Sequence, residues 1–157
     1  GTLTLNQMQV AALAIPTGQD SAEQFSPADA KFLPEAFHSL TEFAMLATPG
    51  DPFDPMEQAI QQFSDRWLAG TEHVRDGRQP EREYPLSADI LAMTKVFAGN
   101  TPRQYVLAAK GAPEAIADLC HLTPAQCGQI QTQVHAMAQR GWRQGQHRQC
   151  NRLPRRR

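Results

Sequence analysis

The sequence predicts an α+β domain, an antiparallel β-sheet flanked by helices on its faces. Strand-like runs lie on both sides of a turn at 98–101, which predicts an antiparallel hairpin. A parallel sheet would require a regular alternation of strands and helices, which this hairpin interrupts. Apolar residues recur at helical spacing in 35–47, 55–67 and 124–140. The 157 residues suffice for one domain with a buried core, and the 41% hydrophobic content is ordinary for a soluble globular protein.

The amino-terminal part of the chain predicts an extended segment followed by a helix. Residues 1–15 alternate partially between apolar and polar types, which favours an extended conformation. Residues 16–34 are polar and rich in turn formers. The helix predicted over 35–47 ends at 48–52, a Thr-Pro-Gly-Asp-Pro stretch that cannot continue it.

The second helix carries a carboxylate that admits two interpretations. Asp54 is a favourable N-cap and Pro55 a favourable first helical residue. Glu57 follows Asp54 by three positions, as in a capping box, and this role alone would explain it. Its alternative role is that of a hydrogen-bond acceptor in a binding site.

The hairpin leads into residues 110–114, which read Lys-Gly-Ala-Pro-Glu. The second half of 84–97 predicts one strand, and 102–109 predicts the returning strand. Lys110 then places a cation at a junction between strand and helix, and Gly111 permits close approach of another backbone. Pro113 is suited to the first position of a helix. Junctions of this kind are common, and most of them have a purely structural role, which is the default interpretation of this one.

The carboxyl-terminal part predicts a helix and then a basic tail. Thr123 caps a helix that begins at Pro124 and runs to about Arg140, and Gly141 stops it. Apolar periodicity is lost after Arg143, so disorder is expected from 144 to 157. Residues 140–157 contain seven arginines and no acid, which leaves 8 basic and 16 acidic residues, a net charge of −8, in 1–139. An alternative function therefore is nucleic-acid or anion binding through the tail.

The cysteines predict neither a zinc site nor a disulfide framework. Cys120, Cys127 and Cys150 are odd in number and contain no Cys-x-x-Cys pair. Cys120 and Cys127 are interpreted as residues that pack on helix faces in a reducing compartment. The sequence also contains no apolar run long enough to cross a bilayer and no signal peptide at its amino end.

Four stretches, taken in order, resemble the P-type cation-transporting ATPases. Residues 1–4, Gly-Thr-Leu-Thr, resemble the end of the Asp-Lys-Thr-Gly-Thr-Leu-Thr phosphorylation motif. Residues 54–60 resemble the Asp-Pro-x-Glu-x-Ala-Leu motif, and 84–93 resemble the aromatic-x-x-Ser…Met segment. Residues 110–114 match the Lys-Gly-Ala-Pro-Glu motif. Each stretch alone is a weak signal, but their order and spacing over residues 1–143 are specific to the nucleotide-binding domain of such a pump, which we expect to be bacterial.

The resemblance implies roles for five residues. Glu57 would accept a hydrogen bond from the adenine amino group, and Lys110 would lie at the pocket mouth, directed toward the phosphates. Gly111 would allow the base to approach the backbone. Arg143 would correspond to an arginine that contacts phosphate. The aromatic position that stacks on adenine in many members falls near Leu86, and Tyr84 is the alternative to Leu86 for covering the base.

The resemblance also implies a division of the chain and a role in transport. Residues 1–15 would be a hinge segment after the phosphorylation motif, 16–143 the nucleotide-binding domain, and 144–157 a basic tail foreign to the family. The domain would bind ATP together with Mg²⁺ and present it to an aspartate that would precede Gly1, so the isolated chain is expected to bind ATP without turnover. Its partners would be the phosphorylation, actuator and transmembrane domains of the same pump, with no nucleic acid. It would be a cytoplasmic domain of an integral membrane protein, and the transported ion is left open.

Overall fold

A computed structural model describes residues 8–18, 21–73, 77–140 and the backbone of the strand at 146–151. The described elements, in chain order, are β1 (Leu13–Pro16), β2 (Ala22–Phe25), a 3₁₀ turn (Glu35–Phe37), α1 (His38–Leu46), α2 (Pro55–Trp67), β3 (Arg82–Tyr84), β4 (Ala92–Ala98), β5 (Tyr105–Gly111), α3 (Pro113–Leu119), α4 (Pro124–Gln139) and β6 (Gln146–Asn151).

The strands form two antiparallel sheets. β1 pairs with β2 in a small ribbon, and the larger sheet has the order β3-β4-β5-β6. In the central pair, Lys95 lies opposite Ala108, and Met93 lies opposite Lys110. Partners in an antiparallel pair share a face, and successive residues alternate between faces. Lys95, Ala108 and Lys110 therefore share one face of the sheet.

Helices cover both faces of the larger sheet. Phe97 and Ala108 pack against apolar residues of α1, so the face that carries Lys95 and Lys110 is the one beneath α1. Ala92 and Ala109 occupy the opposite face and pack against Ile116 of α3, which is fully buried. The alternation of side chains along β5 therefore directs neighbouring residues to two different hydrophobic clusters.

A third cluster joins α2 to the ribbon. Its buried members are the aromatic and aliphatic residues Phe25, Leu33, Phe37, Phe63 and Leu68. The ring of Phe25 lies 5.6 Å from that of Trp67 at 90° and 6.5 Å from that of Phe63, both edge-to-face arrangements that aromatic pairs favour. This cluster fixes one side of α2, and hence the direction of its amino-terminal end.

The structure confirms the coarse α+β class and most of the predicted elements. α1, α2 and α4 lie within the predicted helices, and α2 begins at Pro55 after the N-cap Asp54. Thr123 caps α4 in a capping box with Gln126. β5 extends two residues further than predicted, so Lys110 and Gly111 are strand residues rather than part of a turn.

Two strands, β1 and β6, lie in segments for which the sequence predicts a hinge and disorder. Residues 13–15 belong to β1 and pair with β2, so the boundary between a hinge at 1–15 and a domain at 16–143 cuts through a strand. Gln146–Asn151 form β6, which pairs along β5, where disorder was expected over 144–157. Hydrogen bonding to the open edge of β5 explains the ordering of a segment that has no apolar periodicity. The remaining residues of that range, 144–145 and 152–157, lie outside the described residues.

The cysteine prediction holds only in part. Cys127 is a free, partly buried thiol on α4. Cys120, however, is disulfide-bonded, and its partner lies outside the described side chains. Apolar packing alone is therefore an incomplete account of Cys120.

Gly111 is required by the sheet itself. It lies opposite Ala92, and a β-carbon added to it would fall 2.3 Å from the carbonyl oxygen of Leu91 and 2.5 Å from Cα of Ala92. That same Leu91 carbonyl accepts a hydrogen bond from the backbone N–H of Ala112 at 2.9 Å. The backbone of Leu91 and Ala92 thus fills the space beside Gly111, and a shift of Leu91 would break its hydrogen bond with Ala112.

Gly111→Ala is expected to lower the free energy of unfolding by about 2 kcal/mol or more, because overpacking against backbone cannot be relieved by a rotamer change. Gly128→Ala is the matched control. Gly128 is exposed in the interior of α4 with no atom near its added β-carbon. This control should raise the free energy by about 0.5–1 kcal/mol through helix propensity. Urea unfolding of both variants measures the contrast, and equal stabilities would contradict it.

Candidate nucleotide site

Lys110 is a buried cation beneath the helices. Its residue exposure is 6%, although it carries a charge that is costly to remove from water. The register of β5 explains this position, because Lys110 shares a face with Ala108, which is fully covered by α1. Because its ammonium group is removed from water, Lys110 requires an anionic partner among the residues that pack over this face of the sheet.

Glu57 supplies that partner. It lies in the first turn of α2, and its Oε1 accepts a hydrogen bond from Nζ of Lys110, 53 residues away in the chain. The exposed fractions of the two side chains are 15% for Glu57 and 7% for Lys110. The sequence-predicted acceptor and cation are therefore brought together as a buried ion pair.

The ion pair also bears on the two interpretations of Glu57. Asp54 caps α2, since its Oδ1 accepts from the backbone N–H groups of Met56 at 2.8 Å and Glu57 at 3.2 Å. The Glu57 carboxylate bonds to Lys110, and α2 has no reciprocal capping box. Asp54 thus performs the capping, and the side chain of Glu57 takes another role.

Lys95 is a second buried cation on the same sheet face, and sequence reasoning missed it. Its Nζ donates to the carbonyl oxygen of Thr48 at 3.1 Å and lies 3.6 Å from Oε1 of Glu83. Thr48 follows the carboxyl-terminal end of α1, where the helix dipole favours a positive charge. Strand alternation could have indicated it, because Lys95 lies two positions before the buried Phe97 in a predicted strand.

Tyr84 lies on the opposite face of the sheet from Lys110. Tyr84 is opposite Thr94 in the ladder, whereas Lys110 is opposite Met93, and adjacent residues of β4 point to opposite faces. Leu86 follows β3 in the connection to β4 and is 59% exposed, so it is accessible to a ligand. Of these two residues, Tyr84 is directed away from the ion pair.

The face that carries Tyr84 contains a shallow groove of about 290 Å³. It is lined by Glu81, Arg82, Tyr84, Val96 and Tyr105. A guanidinium nitrogen of Arg82 donates to the Tyr84 hydroxyl at 3.3 Å, and this contact raises the pKa of Arg82. The sheet separates this groove from Lys110, so it does not belong to the candidate site.

Two further residues were predicted for the site, Gly111 and Arg143. Gly111 ends β5 next to Lys110, and the contacts with Leu91 and Ala92 suffice to require its missing side chain. Arg143 lies outside the described residues.

A further polar contact joins the turn that follows α2 to α1. Nδ1 of His73 lies 2.7 Å from Oε2 of Glu42, a carboxylate that is 4% exposed. The ring of His38 packs edge-on against that of His73, with centroids 5.3 Å apart. Across the described residues, no group of three or more histidine, cysteine or acidic side chains could hold a metal ion.

Searches with the sequence find no matching protein-family model and no matching curated protein. Among the described helices, none has both the length and the apolar character needed to cross a membrane.

Removal of one member of the ion pair should destabilise the fold, because the other charge would remain buried without compensation. Lys110→Met and Glu57→Leu are each expected to lower the free energy of unfolding by about 3 kcal/mol. The double variant should lie close to wild type, since an apolar pair can replace a buried ion pair at little cost.

Chemical denaturation of the four proteins measures this cycle. Lys31→Met, on the exposed residue Lys31, is the control and should change stability by less than about 0.5 kcal/mol. Additive losses in the double variant would contradict a direct interaction between the two side chains.

Proposed function

We propose that this chain is the nucleotide-binding domain of a P-type cation-transporting ATPase and that the Glu57–Lys110 pair forms the centre of its ATP site. In an intact pump, such a domain presents ATP with Mg²⁺ for phosphoryl transfer to an aspartate outside this chain. The transfer depends on positioning and charge neutralisation.

The meeting of two distant sequence stretches supports this function. The two stretches that resemble the ATPase motifs most fully, 54–60 and 110–114, are far apart in sequence and lie on different elements. Their charged members, Glu57 and Lys110, nevertheless form a buried ion pair. The buried Lys110 needs an anionic partner in any case, and a binding site shared by the two motifs would explain why Glu57 is that partner.

The chemistry of the pair suits an adenine nucleotide. The Glu57 carboxylate accepts hydrogen bonds only, so it can bind the exocyclic amino group of adenine. The Lys110 ammonium donates only, so it can bind a ring nitrogen or an anionic phosphate oxygen. The apolar atoms of Met93, which lies opposite Lys110 and is partly buried, would provide part of the apolar surface that small-molecule sites commonly have.

The burial of the pair implies modest affinity. Only 7% of Lys110 and 15% of Glu57 are exposed, and each group already satisfies the other. A nucleotide must exchange part of this ion pair for its own contacts, so it gains only the difference between the two arrangements. The acidic character of residues 1–139 further opposes an anionic ligand.

The isolated chain is therefore expected to bind ATP and ADP with dissociation constants in the range of about 0.1–1 mM, near −5 kcal/mol. Lys110→Ala should weaken binding at least about tenfold, since the loss of one charge-assisted hydrogen bond is worth about 1.5–3 kcal/mol. Isothermal titration calorimetry with and without Mg²⁺ measures these affinities.

Lys31→Ala is the control, because it removes one exposed positive charge without touching the site. The same preparations should hydrolyse no ATP. Equal affinities in the Lys110 and Lys31 variants, or steady ATP hydrolysis by the purified chain, would contradict the proposal.

A further inference from the structure

Lys95 is a buried cation that does not contact Glu57 or Lys110 in the proposed site. It shares the sheet face of Lys110, is 8% exposed, and lies beside the apolar residues Phe97 and Ala108. An aliphatic side chain would cover this surface without the cost of desolvating an ammonium group. The contacts of the ammonium group indicate what the charge does.

A continuous set of contacts leads from Lys95 to Glu57. Lys95 holds the carbonyl group of Thr48, the first residue after the C-cap of α1. The loop 48–54 then runs to the amino-terminal end of α2. There the side-chain amide of Gln58 donates to the carbonyl oxygen of Pro52 at 3.1 Å and fixes the end of the loop against the helix.

The contacts form a closed ring on one sheet face. β4 is joined through Lys95 to the start of the loop, and the end of the loop is joined through Gln58 to α2. α2 returns through Glu57 to Lys110 on β5, the neighbour of β4. A ring of this kind fixes the height and rotation of the first turn of α2 above the sheet, which is the turn that carries Glu57.

We propose that Lys95 is a positioning residue of the candidate site: by anchoring the 48–54 loop it holds Glu57 at hydrogen-bonding distance from Lys110. This inference rests on the proposed function only where nucleotide affinity is concerned. The placement of Glu57 against Lys110 is a property of the chain itself.

Two variants break the ring at different points. Lys95→Met removes the anchor at Thr48 and retains most of the side-chain volume. Gln58→Ala removes the contact with Pro52 and affects an exposed side chain, so the fold should tolerate it even if it does not tolerate the loss of Lys95. Gln62→Ala, at an exposed position one turn further along α2, is the matched control.

The first readout is the NMR signal of the ion pair without nucleotide. Lys95→Met and Gln58→Ala should both displace the ¹³Cδ resonance of Glu57 and the ¹⁵Nζ resonance of Lys110, while Gln62→Ala leaves both in place. Unchanged resonances in folded Lys95→Met protein would overturn the proposal. A displacement in Lys95→Met without one in Gln58→Ala would overturn the route through the loop.

The second readout is ATP affinity in two backgrounds. Lys95→Met should weaken binding about tenfold in the wild-type background but less than about twofold in a Glu57→Gln background, because the effect passes through Glu57. Equal weakening in both backgrounds would overturn the positioning role. If the unaltered chain binds no nucleotide, the proposed function fails, and the resonances of Glu57 and Lys110 still decide the role of Lys95.

Discussion

The burial of Lys110 is the constraint on which the arrangement of this chain depends. The register of β5 directs Lys110 to the face covered by α1, where an unpaired ammonium group would be strongly unfavourable. Glu57 can compensate it only if α2 begins at a defined place above the sheet. The N-cap of Asp54 and the loop contacts beside it therefore help to place Glu57 opposite Lys110.

Two hydrophobic clusters hold α1 and α2 in the positions that the ion pair requires. The aromatic cluster around Phe25 and Phe63 fixes the body of α2 against the small ribbon. The cluster around Phe43 and Phe97 fixes α1 against the larger sheet. Because α1 and α2 are joined by the short loop 48–54, the polar contacts of that loop determine how the two packed units meet at the candidate site.

Short-range sequence signals predicted the features that short-range contacts determine, namely the starts of two helices and one hairpin. N-cap residues followed by proline gave the starts of α2 and α4 correctly, since these contacts lie within four residues. The hairpin of β4 and β5 was also predicted from its strand-like runs and turn. The pairing of Glu57 with Lys110 could be expected only from the family resemblance, because no local rule relates residues 53 positions apart.

The remaining features depend on tertiary contacts. β6 orders a polar segment because the edge of β5 offers hydrogen bonds, a circumstance that the periodicity of residues 146–151 does not reveal. The role of Gly111 in the sheet depends on its register against Ala92. The position of Tyr84 depends on the register of β3 against β4, which directs its side chain to the face opposite Lys110.

In the proposed function, the Glu57–Lys110 pair receives an adenine nucleotide. The most direct test is a titration of uniformly labelled protein with ATP and with ADP, each with and without Mg²⁺, followed by chemical-shift changes. Saturable changes centred on Glu57, Lys110 and Gly111 are the predicted result. Changes confined to the groove at Tyr84 and Tyr105, or no changes at all in a folded sample, would contradict the claim.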